Sequence, residues 1–100
     1  MNVSIKKIQK SCEMVCQILK ALSHPQRLII LSHLLNQERS VSELVDLCDI
    51  SQSQISQFLT RMKIEKLVQS RREGRFLYYS VADKRITQLM KTIQAEYCNC

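Results

Sequence analysis

A mainly helical winged helix-turn-helix fold, with about five helices and one β-hairpin, is what this sequence predicts, on three observations. Residues 40–63, SVSELVDLCDISQSQISQFLTRMK, carry two helix-start signals with only a short join between the helices they open. Residues 67–81 change from helical spacing to strand-like composition around Gly74, the only glycine. One glycine and one proline in 100 residues leave little to interrupt helices elsewhere.

The first helix is expected over residues 4–22. Ile5, Ile8, Cys12, Val15, Leu19 and Leu22 alternate steps of three and four, a heptad-like seam suited to packing on another helix. Cys12 lies in that seam and Cys16 flanks it one turn on. Ser23 is expected to cap the second helix, with Pro25 in its first turn and Gln26 completing an S-x-x-Q box. Leu28, Ile29, Ile30, Leu31, Leu34 and Leu35 make this the most apolar helix and place it at the core. His24, at a helix start, and His33, on the polar side, read as solvated groups rather than ligands. Residues 36–39 form a connecting loop.

The helix-turn-helix follows. Ser40 and Glu43 are spaced so that each side chain bonds the other's free backbone N–H, a capping box. Val41, Leu44, Leu47 and Cys48 then form one apolar face. Ser51 and Gln54 repeat the device for the next helix, and Ile50 and Ile55 flank that cap as a hydrophobic staple. Ile55, Phe58, Leu59 and Met62 make its buried stripe. Its other face is Gln52, Ser53, Ser56, Gln57, Thr60, Arg61 and Lys63, long-armed and free of acids. Such a face suits base edges and phosphates in a major groove. An ordinary solvated helix would also be polar, but two capped helices with so short a join favour a recognition helix at 51–63, with Ser51 and Gln54 among its DNA contacts.

Strands are expected at 67–72 and 75–81, with Glu73 and Gly74 between them and glycine supplying the positive φ of a tight hairpin. Arg71, Arg72 and Arg75 crowd its tip. A basic hairpin after a recognition helix reads as a wing that grips a phosphate strand or the minor groove. Asp83 then caps a last helix over 83–97, with Ile86, Leu89, Met90, Ile93 and Tyr97 on one face. That stripe needs a partner, and the first helix is the obvious one, within the chain or across a dimer axis.

One hundred residues imply a single domain, residues 1–100. The net charge of +6 and pI near 9.3 favour a polyanion such as DNA, RNA or an anionic membrane as partner over an acidic protein. The N-terminus lacks a signal-peptide core and no apolar run reaches membrane-span length, so a cytoplasmic protein with no membrane partner is expected. Cysteines stand at 12, 16, 48, 98 and 100, an odd number with three inside helical patterns, unlike a secreted disulfide framework. With neither a C-x-x-C at a helix start nor an acid–base constellation, no enzyme is expected, and no cofactor is assigned.

The order of elements, with KALSHPQRLIIL, SVSEL, SQSQISQFLTRM and RREGRFLYYSV, resembles the ArsR/SmtB family of bacterial repressors over nearly the whole chain. The resemblance implies a homodimer joined through first and last helices, bound to a palindromic double-stranded DNA operator and released by a small inducer. Arsenic- and cadmium-sensing members carry C-V-C where this chain has Ser40-Val41-Ser42, and hydroxyls do not replace thiolates for a soft ion. The Asp and His pairs that zinc and nickel members place on the last helix are missing here, since that helix has no histidine, so the resemblance implies no metal site. Cys48 stands where members usually have a buried leucine and reads as core.

The ending AEYC at 95–98 resembles instead the persulfide- and redox-sensing branch of BigR/SqrR type. That branch pairs this cysteine with one in R-L-x-I-L-C of the second helix, where this chain has Arg27-Leu28-Ile29-Ile30-Leu31-Ser32. The resemblance therefore implies a thiol sensor at Cys98, with Cys16, Cys12 or Cys100 replacing the missing partner and a reactive sulfur species or oxidant as inducer. Two alternatives are an arsenite or antimonite sensor built from the same cysteines, and a winged-helix regulator without cysteine sensing.

Overall fold

The computed structural model describes residues 4–98, with the order α1 (Ile5–Leu22), α2 (Pro25–Leu34), β1 (Arg39–Ser40), α3 (Val41–Cys48), α4 (Gln52–Ile64), β2 (Val68–Glu73), β3 (Phe76–Val81) and α5 (Lys84–Tyr97). Five helices surround a small antiparallel sheet of order β1-β3-β2. The core forms where the apolar faces of α2, α3 and α4 converge: Ile30, Leu31, Leu44, Ile55, Leu59 and Met62 are fully buried. Leu67 and Val68 at the start of the hairpin, and Ile86 and Met90 of α5, close it from the other side.

Local chemistry explains most boundaries. Ser40 makes the full capping box with Glu43. At α4 the Ser51 hydroxyl accepts from the Gln54 N–H (3.3 Å), while the Gln54 side chain takes that hydroxyl rather than the cap's backbone N–H. Asp49 ends α3 at φ 53°, a left-handed conformation that a short polar side chain tolerates, and this makes the turn tight. Asp83 caps α5 as expected, accepting from the Arg85 N–H at 2.8 Å.

Several expectations are corrected. Ser23 does not cap α2. It closes α1, its hydroxyl donating to the Lys20 carbonyl at 2.8 Å, and His24 Nδ1 accepts from the Gln26 N–H instead. Pro25 explains this: as the first helical residue it places the cap on residue 24. The loop at 36–39 ends in a strand, since Arg39 and Ser40 pair with Tyr79 and Tyr78. Leu47 is 44% exposed, and Val45 packs on the core in its place. Ile29 of α2 also faces outward. The hairpin loop is Gly74 and Arg75, because Glu73 still pairs with Phe76; only Gly74 has a positive φ (62°), matching the glycine-first loop of a II′ hairpin.

The seam on α1 is left uncovered within the chain. Ile18, Ala21 and Leu22 reach the core, whereas Ile5, Ile8, Val15 and Leu19 are at least half exposed. The stripe on α5 divides likewise: Ile86 and Met90 are buried, while Ile93 and Tyr97 lie open.

Candidate nucleic-acid interface

The buried stripe of α4 fixes which residues face out. Gln52, Ser53, Gln54, Gln57, Thr60, Arg61 and Lys63 are exposed, as is the cap Ser51, and Ser56 is half-buried at the edge of the face. No acid interrupts the helix. The nearest carboxylate is Glu65 at its C-cap, which Arg27 holds by two bonds of 2.9 and 3.2 Å. Arg27 also donates to the Ala21 carbonyl at the end of α1, so one guanidinium joins α1, α2 and the end of α4. Arg61 lies 3.4 Å from the same carboxylate but stays open to solvent. Lys63 is engaged differently from expectation: its Nζ donates to the Ser70 hydroxyl at 2.6 Å, tying the helix to β2.

The three wing arginines, expected to act alike, are placed in two kinds of environment. Arg71 Nε donates to both carboxylate oxygens of Glu38 (3.0 and 2.8 Å) and one terminal nitrogen bonds Glu38 as well. The other terminal nitrogen donates to Glu73 at 2.8 Å, and the guanidinium lies 5.0 Å from the centre of the Tyr78 ring. The bond to Arg71 holds the Glu38 carboxyl below its ordinary value. Arg72 and Arg75 are exposed and pair with no acid among the described residues. They line a shallow cleft with Ser40, Ser42 and Phe76, where the wing meets the start of α3.

Sequence reasoning missed these polar links. Glu38 and Arg71 are 33 residues apart and Arg27 and Glu65 are 38 apart, so no local spacing announces them.

Of the thiols, Cys12, Cys16 and Cys98 are exposed and free, Cys48 is buried, and Cys100 lies outside the described residues. Burial pushes the Cys48 thiol up, away from the reactive thiolate. Cys98 caps α5, its N–H donating to the Gln94 carbonyl. Ser32 is half-buried and its hydroxyl donates to the Leu28 carbonyl at 2.7 Å. No group of three or more His, Cys, Asp or Glu that could hold a metal occurs among the described residues. None of the described helices is long and apolar enough to cross a membrane.

Comparison with known proteins places this geometry. Residues 24–70, from α2 into β2, match the family described as bacterial regulatory protein, arsR family. The HTH-type transcriptional regulator YgaV of Escherichia coli is 35% identical over 95 residues, covering 94% of this chain and 96% of YgaV. The crystal structure of the transcriptional repressor BigR from Xylella fastidiosa superposes with a TM-score of 0.86 at 28% identity, over 98% of this chain and all of that one. The homodimeric winged helix-turn-helix DNA-binding domain of Mb0332 from Mycobacterium bovis gives a TM-score of 0.78 at 28% identity, over 95% of this chain and 88% of that one. With its fold, its capped helix pair and its wing accounted for, the chain belongs to the arsR family of bacterial DNA-binding transcriptional regulators, and its relatives there include BigR.

Proposed function

We propose that the chain is a cytoplasmic repressor that binds a palindromic DNA operator as a homodimer and is switched by thiol chemistry at Cys98. The observation that carries the DNA reading is the acid-free, exposed face of α4 beside two arginines that no acid among the described residues neutralises. Gln57, near the middle of that face, has an amide able to pair bidentately with adenine, while Arg72 and Arg75 meet phosphate. The uncovered stripes of α1 and α5 support the dimer, since two copies that join them remove from water the apolar surface one copy leaves exposed. The likeness to a homodimeric domain and to a repressor supports the same assembly and direction of control.

Operator binding measured against salt tests this. If the dimer neutralises roughly 6–10 phosphates, affinity falls ~10³–10⁵-fold between about 50 and 200 mM salt. Half-sites about one helical turn apart, ~10 bp, are expected. A flat salt response, or equal binding to anionic vesicles, overturns the reading.

For the switch, Cys98 is exposed at a helix end, where the thiolate is accessible, while Cys48 is shielded. Its thiolate attacks the central sulfur of an organic trisulfide and expels one thiolate. Cys16 or Cys12 then attacks the same sulfur, expels the second and leaves a protein trisulfide. Both candidates for this second step are exposed on α1. A coupling of ~1–3 kcal/mol lowers operator affinity roughly 5–150-fold. Mass spectrometry of the linked peptides, with DNA binding of the parent, Cys98→Ser and Cys12/Cys16→Ser proteins, checks it. A full response in Cys98→Ser removes that cysteine from the switch. Release by arsenite but not by the trisulfide assigns the thiols to a metalloid.

A further inference from the structure

Arg71 carries the most committed charge on the wing. In the sheet register it stands opposite Tyr78 of β3, which in turn stands opposite Ser40 of β1. The arginine side chain lies over the Tyr78 ring and ends on Glu38, immediately before β1. One side chain thus spans all three strands. Ser40 is also the cap of α3, so the edge that Arg71 grips leads directly into the helix-turn-helix. With two carboxylates on the guanidinium, an approaching phosphate would meet a cluster carrying one net negative charge. Arg72 follows on the opposite face of the strand and has no such partners.

We propose that Arg71 is a positioning residue and not a phosphate contact: with Glu38 it straps the wing to β1 and sets its distance from the recognition helix, so that Arg72 and Arg75 meet the DNA backbone. The proposal rests on the DNA-binding reading above and adds a division of labour among three arginines that sequence alone treats as equivalent.

The sign of one substitution separates the two roles. If Arg71 is a strap, Glu38→Gln weakens operator binding although it removes a negative charge. If Arg71 binds phosphate and Glu38 restrains it, Glu38→Gln tightens binding. The strap further requires that Arg71→Ala lower affinity about as much as Glu38→Gln does, by up to about fivefold for so exposed a pair. The Glu38→Gln/Arg71→Ala protein is expected to be no weaker than the worse single variant. Arg72→Ala serves as the phosphate control, with a slope lower by roughly 1.

Hydrogen exchange in the DNA-free protein gives a readout independent of binding. The β2–β3 amides exchange faster in Arg71→Ala and Glu38→Gln and at the parent rate in Arg72→Ala. Tighter binding by Glu38→Gln, an affinity loss in Arg71→Ala well beyond that in Glu38→Gln, or unchanged hairpin exchange each overturns the proposal. If exchange changes as expected but no protein binds DNA in a salt-dependent way, the DNA reading fails and with it the positioning role, leaving only a structural contact.

Discussion

The recognition helix and the wing sit side by side, yet they are held by different forces. Helix α4 is anchored by Ile55, Leu59 and Met62, all fully buried, and by a partly buried ion pair at its end. The wing exposes most of β2 and its loop: its base is held by Val68 in the core and by Lys63 on Ser70, but toward the tip, beyond strand pairing, it is fixed by an open cluster of charges around Arg71. Apolar contacts respond to lost volume and little to salt. Exposed ion pairs respond to ionic strength and pH and contribute little to global stability. The helix is therefore held rigidly, whereas the posture of the wing tip depends on solution conditions.

The largest effect should come from breaking the anchor. Leu59→Ala removes a fully buried side chain from the centre of the core and is expected to cost ~2–5 kcal/mol in a denaturant melt, without altering any exposed residue of the α4 face. A loss of that size from any single wing arginine would erase the contrast. Next comes the split in DNA recognition. Gln57→Ala should lose ~1–3 kcal/mol of discrimination at one base position, while Arg75→Ala should weaken specific and random DNA alike. Reversed results would exchange the roles of helix and wing.

Gly74→Ala sharpens the comparison from the wing side. Its φ of 62° is unfavourable for an L side chain, yet an added Cβ meets nothing within 4 Å, so the expected cost of about 1 kcal/mol is backbone strain alone. Melting should register it, with the fold intact. The smallest effect is that of pH on the strap. Because Arg71 holds the Glu38 carboxyl below its ordinary value of about 4.5, this contact contributes above that value and is lost as pH falls through the lowered one. NMR shifts of the Tyr78 ring should therefore stay constant from neutrality to about pH 5 and move only in stronger acid, and Glu38→Gln should remove that step.

The helix-turn-helix was legible because its signals are local. Ser40 and Glu43 form the capping box their spacing implies, and Ile50 and Ile55 are both buried where a staple needs them. Gly74 and the change of period marked the hairpin. What stayed hidden is non-local or too short. Two residues cannot show alternation, so in the sequence β1 looks like loop. Ser23 and His24 both have cap chemistry, and only the position of Pro25 chooses between them. Periodicity found the α1 seam but cannot say what covers it. For the interface, the outward face of α4 follows from its buried stripe, whereas Lys63 on Ser70 and Arg71 on Glu38 depend on side chains brought together by the sheet.

The Arg27 guanidinium, bonded at once to the end of α1 and to the cap of α4, turns the first helix into a lever. Eighteen residues at about 1.5 Å each make an arm of roughly 27 Å, with its pivot where Arg27 meets the Ala21 carbonyl. Cys12 stands about 13.5 Å out along that arm and Cys16 about 7.5 Å. The same shift of about 1 Å therefore turns the helix by roughly 4° at Cys12 and roughly 8° at Cys16. A displacement at the two thiols would be unequal in mechanical advantage: the outer one needs the longer stroke and the smaller force, and the rotation would meet α4 through the core contacts of Ile18, Ala21 and Leu22, through His24 on Phe58 and through Arg27 on Glu65.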